Sequence, residues 1–188
     1  MANVFNAPFP QANDFAKIIK IININDPSKL RDYSYMRSYL NYISDRQVDY
    51  YISACVYLAL INKNKEFTEA GLELREKKGI YREAELYRAV ISDDVFGLVY
   101  FLQKIKGTEL SNEEIIEIMH KKMSFKSEAM YVRRASTIVS WLKWIDSKEK
   151  VSGVVWLNDD TEPEEKSDNE DSIWDEMMIG DFVEEETE

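Results

Sequence analysis

The chain has 188 residues with 24 basic and 35 acidic side chains, which gives a formal net charge of −11. Residues 159–188 hold 15 acids and one base, a charge of −14, whereas residues 1–158 hold 20 acids and 23 bases, a charge of +3. With 45% hydrophobic and 12% aromatic residues the chain can bury a core, which excludes full disorder, and one cysteine and one histidine exclude a disulfide framework and a zinc cluster. We therefore divide the chain into a mildly basic body and an acidic tail.

The sequence indicates neither a membrane protein nor an enzyme. No apolar run approaches the roughly 20 residues that span a membrane, and residues 1–15 lack the basic and apolar regions of a secretory signal. The phosphate-binding, dinucleotide-binding, metalloprotease and serine-hydrolase motifs are absent. We therefore expect a cytoplasmic protein that makes no membrane contact, has no catalytic residues and binds no cofactor or metal.

The first predicted elements are two helices separated by a clear break. Apolar residues recur at helical spacing over residues 15–22, after an irregular segment that contains two prolines. Residues 25–28, with the sequence NDPS, stop this helix, and either Asp26 or Ser28 can cap the next one. That second helix is predicted over residues 31–43.

A helix-turn-helix pattern follows. Ser44 and Asp45 break the chain and offer capping side chains, and apolar residues at three- and four-residue spacing predict a helix over residues 46–60. The polar turn at residues 62–65 predicts a short β-hairpin, after which Thr68 is expected to cap another helix. Helix, break, helix and basic hairpin are the order of a winged helix-turn-helix unit.

The exposed face of the second helix in this unit supplies candidate contacts to double-stranded DNA. In such units this helix enters the major groove, where arginine and glutamine bind guanine and adenine edges, while lysines of the hairpin lie over phosphates. A solvated helix face is the alternative explanation of the same polar pattern. The candidates are Arg46, Gln47, Tyr50, Ser53 and Tyr57 on the helix, and Lys63 and Lys65 in the turn.

A second, similar unit is predicted in the rest of the body. A helix over residues 84–91 precedes a capping run at residues 92–94 and a further helix, which ends at Gly107 and turns Ile105 inward. Two more helices follow, and the β-rich residues 151–156 predict a second wing.

Capping residues also mark these last two helices. Ser111 and Glu114 form a capping box, and Ser127 caps the final long helix. The outer face of that helix offers further candidate DNA contacts, although burial of Arg134 in the packing is the alternative for that residue. The candidates are Arg133, Arg134, Thr137, Ser140 and Lys143.

The predicted architecture is therefore mainly α, with tandem winged helix-turn-helix units, short β-hairpin wings and a disordered acidic tail. Residues 1–79 form an N-terminal helix and the first unit, residues 80–158 form the second unit, and residues 159–188 form the tail. The end of the tail carries apolar residues among acids, which is typical of a disordered segment that folds onto a protein partner, although a solubilising tail is the plainer alternative. The candidate partner-binding residues are Ile173, Trp174, Met177, Met178, Ile179 and Phe182.

Three segments of the body resemble a small bacterial domain family. They are SDRQVDYYISACVYLALI at residues 44–61, EFTEAGLEL at residues 66–74 and YVRRASTIVSWLKWI at residues 131–145. Ala59 and Phe67 depart from the Gly and Leu of the family pattern. Domains of this kind look like tandem winged helices and occur beside restriction endonucleases, so the resemblance implies DNA recognition, while the nuclease itself is absent from this chain.

Two functions from different classes follow from these patterns. The first is a double-stranded DNA-binding protein, as a regulator or as the specificity component of a restriction or defence system. The alternative is a protein-interaction adaptor or DNA-mimicking inhibitor that acts through the acidic tail, because a body charge of only +3 is small for a dedicated DNA-binding protein. A tail that competes with phosphates for the basic residues would also make DNA binding autoinhibited.

Overall fold

The structure is a computed structural model that describes residues 7–152, with the backbone alone for residues 149–152. Within this range the chain forms eight α-helices and one short 3₁₀ helix. In chain order the elements are α1 (Phe15–Ile22), the 3₁₀ helix (Pro27–Arg31), α2 (Tyr33–Tyr39), α3 (Asp45–Tyr57), α4 (Glu69–Glu76), α5 (Gly79–Ile91), α6 (Asp94–Lys106), α7 (Asn112–Lys122) and α8 (Glu128–Ser152).

Local capping signals account for most of the helix boundaries. The predicted capping box of Ser111 and Glu114 is confirmed for α7, and the predicted cap at Ser44 is confirmed for α3, where it forms a second capping box with Gln47. Thr68 caps α4 as predicted, since its hydroxyl accepts a hydrogen bond from the Gly71 backbone N–H at 3.0 Å. These caps satisfy backbone N–H groups that have no partner within their helix.

The helix predicted over residues 31–43 is shorter than expected. Asp26 caps the 3₁₀ helix instead, and Asp32 caps α2 by accepting a hydrogen bond from the Tyr35 backbone N–H at 3.0 Å. The helix ends at Tyr39, and the two residues after its C-cap adopt left-handed φ angles of 68° and 57°. The left-handed backbone at residues 41 and 42 cannot continue a right-handed helix.

The predicted β-hairpin wings are wrong, and with them the tandem winged-helix architecture. Between α3 and α4 the described chain forms a turn with a single antiparallel bridge, Ile61 to Phe67, and no strand. The Asn62 side chain explains the difference, because its Oδ1 accepts hydrogen bonds from the backbone N–H groups of Asn64 and Glu66 at 2.8 and 3.1 Å. A side chain thus satisfies the backbone groups that a second strand would have paired.

The predicted second wing is also contradicted where the structure describes it. Val151 and Ser152 form the end of α8 rather than the start of a strand. The remainder of that prediction, residues 153–156, lies outside the described residues.

The segment before α1 lies against the middle of α8. The fully buried indole of Trp141 donates a hydrogen bond to the Ala12 carbonyl at 2.6 Å. One turn earlier, the buried Thr137 hydroxyl donates to Oδ1 of Asn13 at 2.7 Å, and the Ser140 hydroxyl donates to the Asn13 backbone carbonyl. These contacts fix residues 12 and 13 across one face of the long helix.

An aromatic cluster continues the core from this segment into α3, α6 and α8. The Phe9 ring stacks on Phe96 with centroids 5.2 Å apart, and Phe96 stacks on Trp141 at 4.9 Å. Tyr57 meets the edge of Phe9 at 5.5 Å, and its hydroxyl donates a hydrogen bond to the buried carboxylate of Asp93. One core therefore runs across the boundary at residues 79 and 80 that the sequence suggests between two units.

The exposed side of α6 differs from the prediction. Ile105 of α6 was expected to point inward, but 68% of its surface is exposed, and Phe101 one turn earlier is 60% exposed. Because α6 carries apolar residues on nearly every side, spacing alone does not determine which side packs against the neighbouring helices.

We expect the Tyr57→Phe variant to lose about 1.5–3 kcal/mol in free energy of unfolding, measured by urea denaturation. The change removes the hydroxyl donor and leaves a buried carboxylate oxygen with one partner fewer. Tyr42→Phe removes the same atom from a side chain that is 89% exposed, so it serves as the control and should change stability by less than about 0.5 kcal/mol. Equal unfolding midpoints for Tyr57→Phe and the unmodified protein would contradict this account of the core.

Candidate nucleic-acid interface

The exposed part of α3 is confined to its first turns. Residues 54–58 are all buried, whereas Arg46 and Gln47 are exposed and Tyr50 is half-buried. The Arg46 Nε donates a hydrogen bond to the Tyr50 hydroxyl at 2.5 Å, and its guanidinium lies 5.5 Å from the centre of the Tyr50 ring. The arginine side chain is therefore held along α3 with its remaining donors free for a ligand.

Arg134 reaches the same region from α8, and it is only 4% exposed. Its guanidinium lies 4.2 Å over the Phe125 ring, and Nη1 donates to the Met130 carbonyl at 3.3 Å. Its Nε is buried without a hydrogen-bond partner. Burial lowers the pKa of this guanidinium, the Tyr50 hydroxyl acts in the opposite direction, and the charge of Arg133 lowers the pKa further.

We call Arg46, Arg133 and Arg134 the arginine cluster. The Tyr50 hydroxyl accepts a hydrogen bond from Arg46, and Tyr50 and Arg133 both influence the pKa of the Arg134 guanidinium, while Arg133 itself is exposed on α8. Among the side chains that the structure describes, no carboxylate forms an ion pair with any of the three arginines. A buried cation normally has an acidic partner, so the unpaired guanidinium of Arg134 favours an anion nearby.

The connection between α7 and α8 borders this cluster and adds further positive charge. The Tyr131 hydroxyl donates to the Met123 carbonyl and accepts from the Phe125 backbone N–H, both at 3.1 Å, which fixes the connection against α8. Three exposed lysines, two at the end of α7 and one in this connection, are not among the candidate contacts predicted from the sequence. The sequence feature that could have identified them is a basic run at a helix end followed by an aromatic residue. The three lysines are Lys121, Lys122 and Lys126.

Several of the predicted DNA contacts are occupied within the fold. Tyr57 is buried, and this burial is the main reason that the pKa of its hydroxyl is raised. The nearby charge of Asp93 raises that pKa further. Gln47 closes the capping box of α3, where its Oε1 accepts from the Ser44 backbone N–H at 3.0 Å, and Ser53 is half-buried. Together with Thr137 and Ser140, which bind Asn13, these side chains do not form the free surface that a groove-reading helix needs.

The remaining candidates lie apart from the arginine cluster or are already paired. The Lys65 ammonium donates to the Tyr33 hydroxyl at 3.0 Å and lies 3.9 Å from the Asp49 carboxylate, whereas Lys63 is exposed in the turn. Lys143 forms an exposed ion pair with Glu109 at 3.3 Å. The six predicted partner-binding residues of the tail, from Ile173 to Phe182, lie outside the described residues.

Other chemistry is not indicated by the part of the chain that the structure describes. Its histidine, cysteine and acidic residues form no group of three that could hold a metal ion. Cys55 is fully buried, and burial raises the pKa of its thiol. No helix in residues 7–152 has both the length and the apolar character to cross a membrane.

We expect Arg134→Met to keep the free energy of unfolding within about 1 kcal/mol of the unmodified protein, because the lost ring contact and the relieved desolvation oppose each other. Arg82→Met is the matched control. The Arg82 guanidinium donates to the carbonyls of Leu74, Lys77 and Arg75 at 2.6 to 3.2 Å, so this variant should lose at least about 2 kcal/mol. Urea denaturation measures the free energy of unfolding of both variants. An equal loss of stability in the two would show that Arg134 stabilises the fold as Arg82 does.

The comparisons with known proteins concern most of the described body. Residues 17–150 match the family model described as Domain of unknown function (DUF7226). No curated protein matches the chain, and no solved structure matches it. The match includes both segments that contribute to the arginine cluster and covers well over half of the sequence, so the chain belongs to the DUF7226 domain family.

Proposed function

We propose that the body of this protein binds double-stranded DNA, and that the two exposed members of the arginine cluster, Arg46 and Arg133, contact the phosphates. The observation that carries the proposal is that the arginines of the cluster, on α3 and α8, have no carboxylate partner among the described side chains, and that the Nε of Arg134 is buried without a hydrogen-bond partner. Two segments that are about 90 residues apart in sequence supply these unpaired arginines.

Phosphate is the anion that best fits this arrangement. A guanidinium presents its N–H donors in a planar fork that matches two phosphate oxygens, and such charge-assisted hydrogen bonds are about twice as strong as neutral ones. The exposed lysines at the end of α7 and in the α7–α8 connection extend the positive surface, so a chain of phosphates rather than a single anion is the expected ligand. The charge of +3 over residues 1–158 is compatible with such contact.

The proposed binding differs from helix-turn-helix readout. Phosphate contacts fix orientation without reading sequence, and of the α3 side chains expected to read bases Tyr57 is buried and Gln47 is engaged in a cap. We therefore expect weak sequence preference from this surface alone. The wider role, as a regulator or as the specificity component of a restriction-type defence system, is part of the proposal and rests on the sequence resemblance alone.

The proposal is tested by the salt dependence of the affinity for a random duplex pool, measured by fluorescence anisotropy. We expect the affinity of the unmodified chain to fall as salt rises, and we expect Arg46→Ala and Arg133→Ala each to reduce the slope of log affinity against log salt by about 1, one phosphate contact each. Arg88→Ala is the matched control, because it removes the same charge from an exposed arginine that pairs with Glu85 at 3.3 Å.

Two results would contradict the proposal. The first is affinity that does not depend on salt or is undetectable at low salt. The second is an equal loss of slope in Arg88→Ala and in the variants of the cluster, which would indicate an effect of total charge rather than of this surface. Repeating the series with residues 1–158 measures what the acidic tail contributes.

A protein-interaction module is the second candidate function. The observation that favours it within the described residues is the exposure of Phe101 and Ile105, two large apolar side chains one turn apart on α6. The apolar residues of the tail support it from sequence alone. A pure adaptor would show no salt-dependent DNA binding, so the same experiment separates the two functions.

A further inference from the structure

The turn between α2 and α3 holds a tyrosine in an unfavourable backbone conformation. Asn41 and Tyr42 have φ angles of 68° and 57°, in the left-handed region. Asparagine tolerates this region, and the Asn41 side chain is anchored because its Oδ1 accepts a hydrogen bond from the Lys20 ammonium at 2.9 Å. A tyrosine gains nothing comparable there, since its Cβ crowds the following carbonyl oxygen.

Folding does not explain the choice of tyrosine at this position. The Tyr42 side chain is 89% exposed, more than any other large hydrophobic side chain in the described residues, and it buries almost nothing within the chain. Glycine or asparagine would adopt the same backbone at lower conformational cost. A bulky ring that is held in solvent at such a position is best explained by contact with a ligand.

The turn leads directly to the arginine cluster. Tyr42 precedes Arg46 by four residues, so the two Cα atoms are at most about 14 Å apart even for a fully extended chain. The capping box at Ser44 and Gln47 fixes the start of α3 between them. Tyr42 and Arg46 are therefore close enough for one stretch of DNA to contact both.

We propose that Tyr42 stacks on an unpaired base of the DNA that the arginine cluster binds, which makes the ligand a duplex with a bulge or another unstacked base. This inference rests on the proposed function and adds the class of DNA. An exposed aromatic ring offers a face to any base, and stacking of this kind is independent of sequence. In a perfect duplex both faces of each base are covered by neighbouring bases, so the ring has no internal face to meet.

The test uses the full-length chain and two short duplexes that differ only by one bulged 2-aminopurine, whose fluorescence reports stacking. We expect the unmodified protein to bind the bulged duplex about 5- to 150-fold more tightly than the perfect one, the range expected for stacking on one base, and to quench its fluorescence. Tyr42→Ala should lose this preference and the quenching, while Tyr42→Phe should retain both because the ring remains.

Two further variants control for folding and for surface tyrosines in general. Tyr42→Gly removes the ring and suits the left-handed backbone, so its melting temperature should not fall below that of the unmodified protein while its preference for the bulge is lost. Tyr81→Ala removes a ring that is 49% exposed on α5, and it should retain the preference.

The outcomes separate this inference from the proposed function. A preference for the bulge that survives in Tyr42→Ala and Tyr42→Gly overturns the inference, and so does binding that depends on Arg46 and Arg133 but does not distinguish the two duplexes. Absence of salt-dependent binding to either duplex overturns the proposed function and the inference with it.

Discussion

The hydrogen bond from the Tyr57 hydroxyl to the buried Asp93 carboxylate, with the aromatic stack beside it, is the contact on which the rest of the body depends. Asp93 also accepts hydrogen bonds from the backbone N–H groups of Val95 and Phe96 at 2.9 and 3.0 Å. The same carboxylate therefore caps the N-terminus of α6 and binds Tyr57, the last residue of α3. Phe96 then stacks on Trp141 of α8. The position of α3 relative to α8 is set by this chain of contacts, and the arginine cluster exists only because those two helices are held together.

The cluster itself works against the stability of the fold. A buried guanidinium with an unpartnered Nε and a second cation beside it costs free energy that the contact with Phe125 only partly offsets. The same holds for Tyr42, whose backbone conformation is unfavourable and whose ring is exposed. Local departures from what a fold prefers, one in α8 and one just before α3, are consistent with a binding surface for a polyanion.

The features that sequence predicted well are those that depend on neighbours in the chain. The capping residues Ser44, Thr68 and Ser111 and the left-handed Gly107 are local, and all of them mark helix ends in the structure. The predicted wing after α3 is wrong because the Asn62 side chain accepts hydrogen bonds from two backbone N–H groups of the turn, which no hydrophobic pattern reveals. Tyr57 and Thr137 are buried against Asp93 and Asn13, which are 36 and 124 residues away in sequence. The spacing of apolar residues along one helix therefore could not predict their burial. For the site, the motifs around Arg46 and Arg133 were visible separately in the sequence, whereas the hydrogen bond from Arg46 to Tyr50 and the unpartnered Nε of Arg134 were not.

The most direct test of the central claim is the NMR signal of the arginine Nε–H groups during titration of the full chain with a duplex DNA. The Nε–H of Arg134 is shielded from solvent and lacks a protein partner, so its resonance should be observable in the free protein and sensitive to an anion nearby. The account predicts that the Nε–H resonances of Arg46, Arg133 and Arg134 shift together as DNA is added, while that of Arg82 stays in place because its donors are satisfied by backbone carbonyls. Shifts confined to arginines outside the cluster, with these three unchanged at saturating DNA, would contradict it.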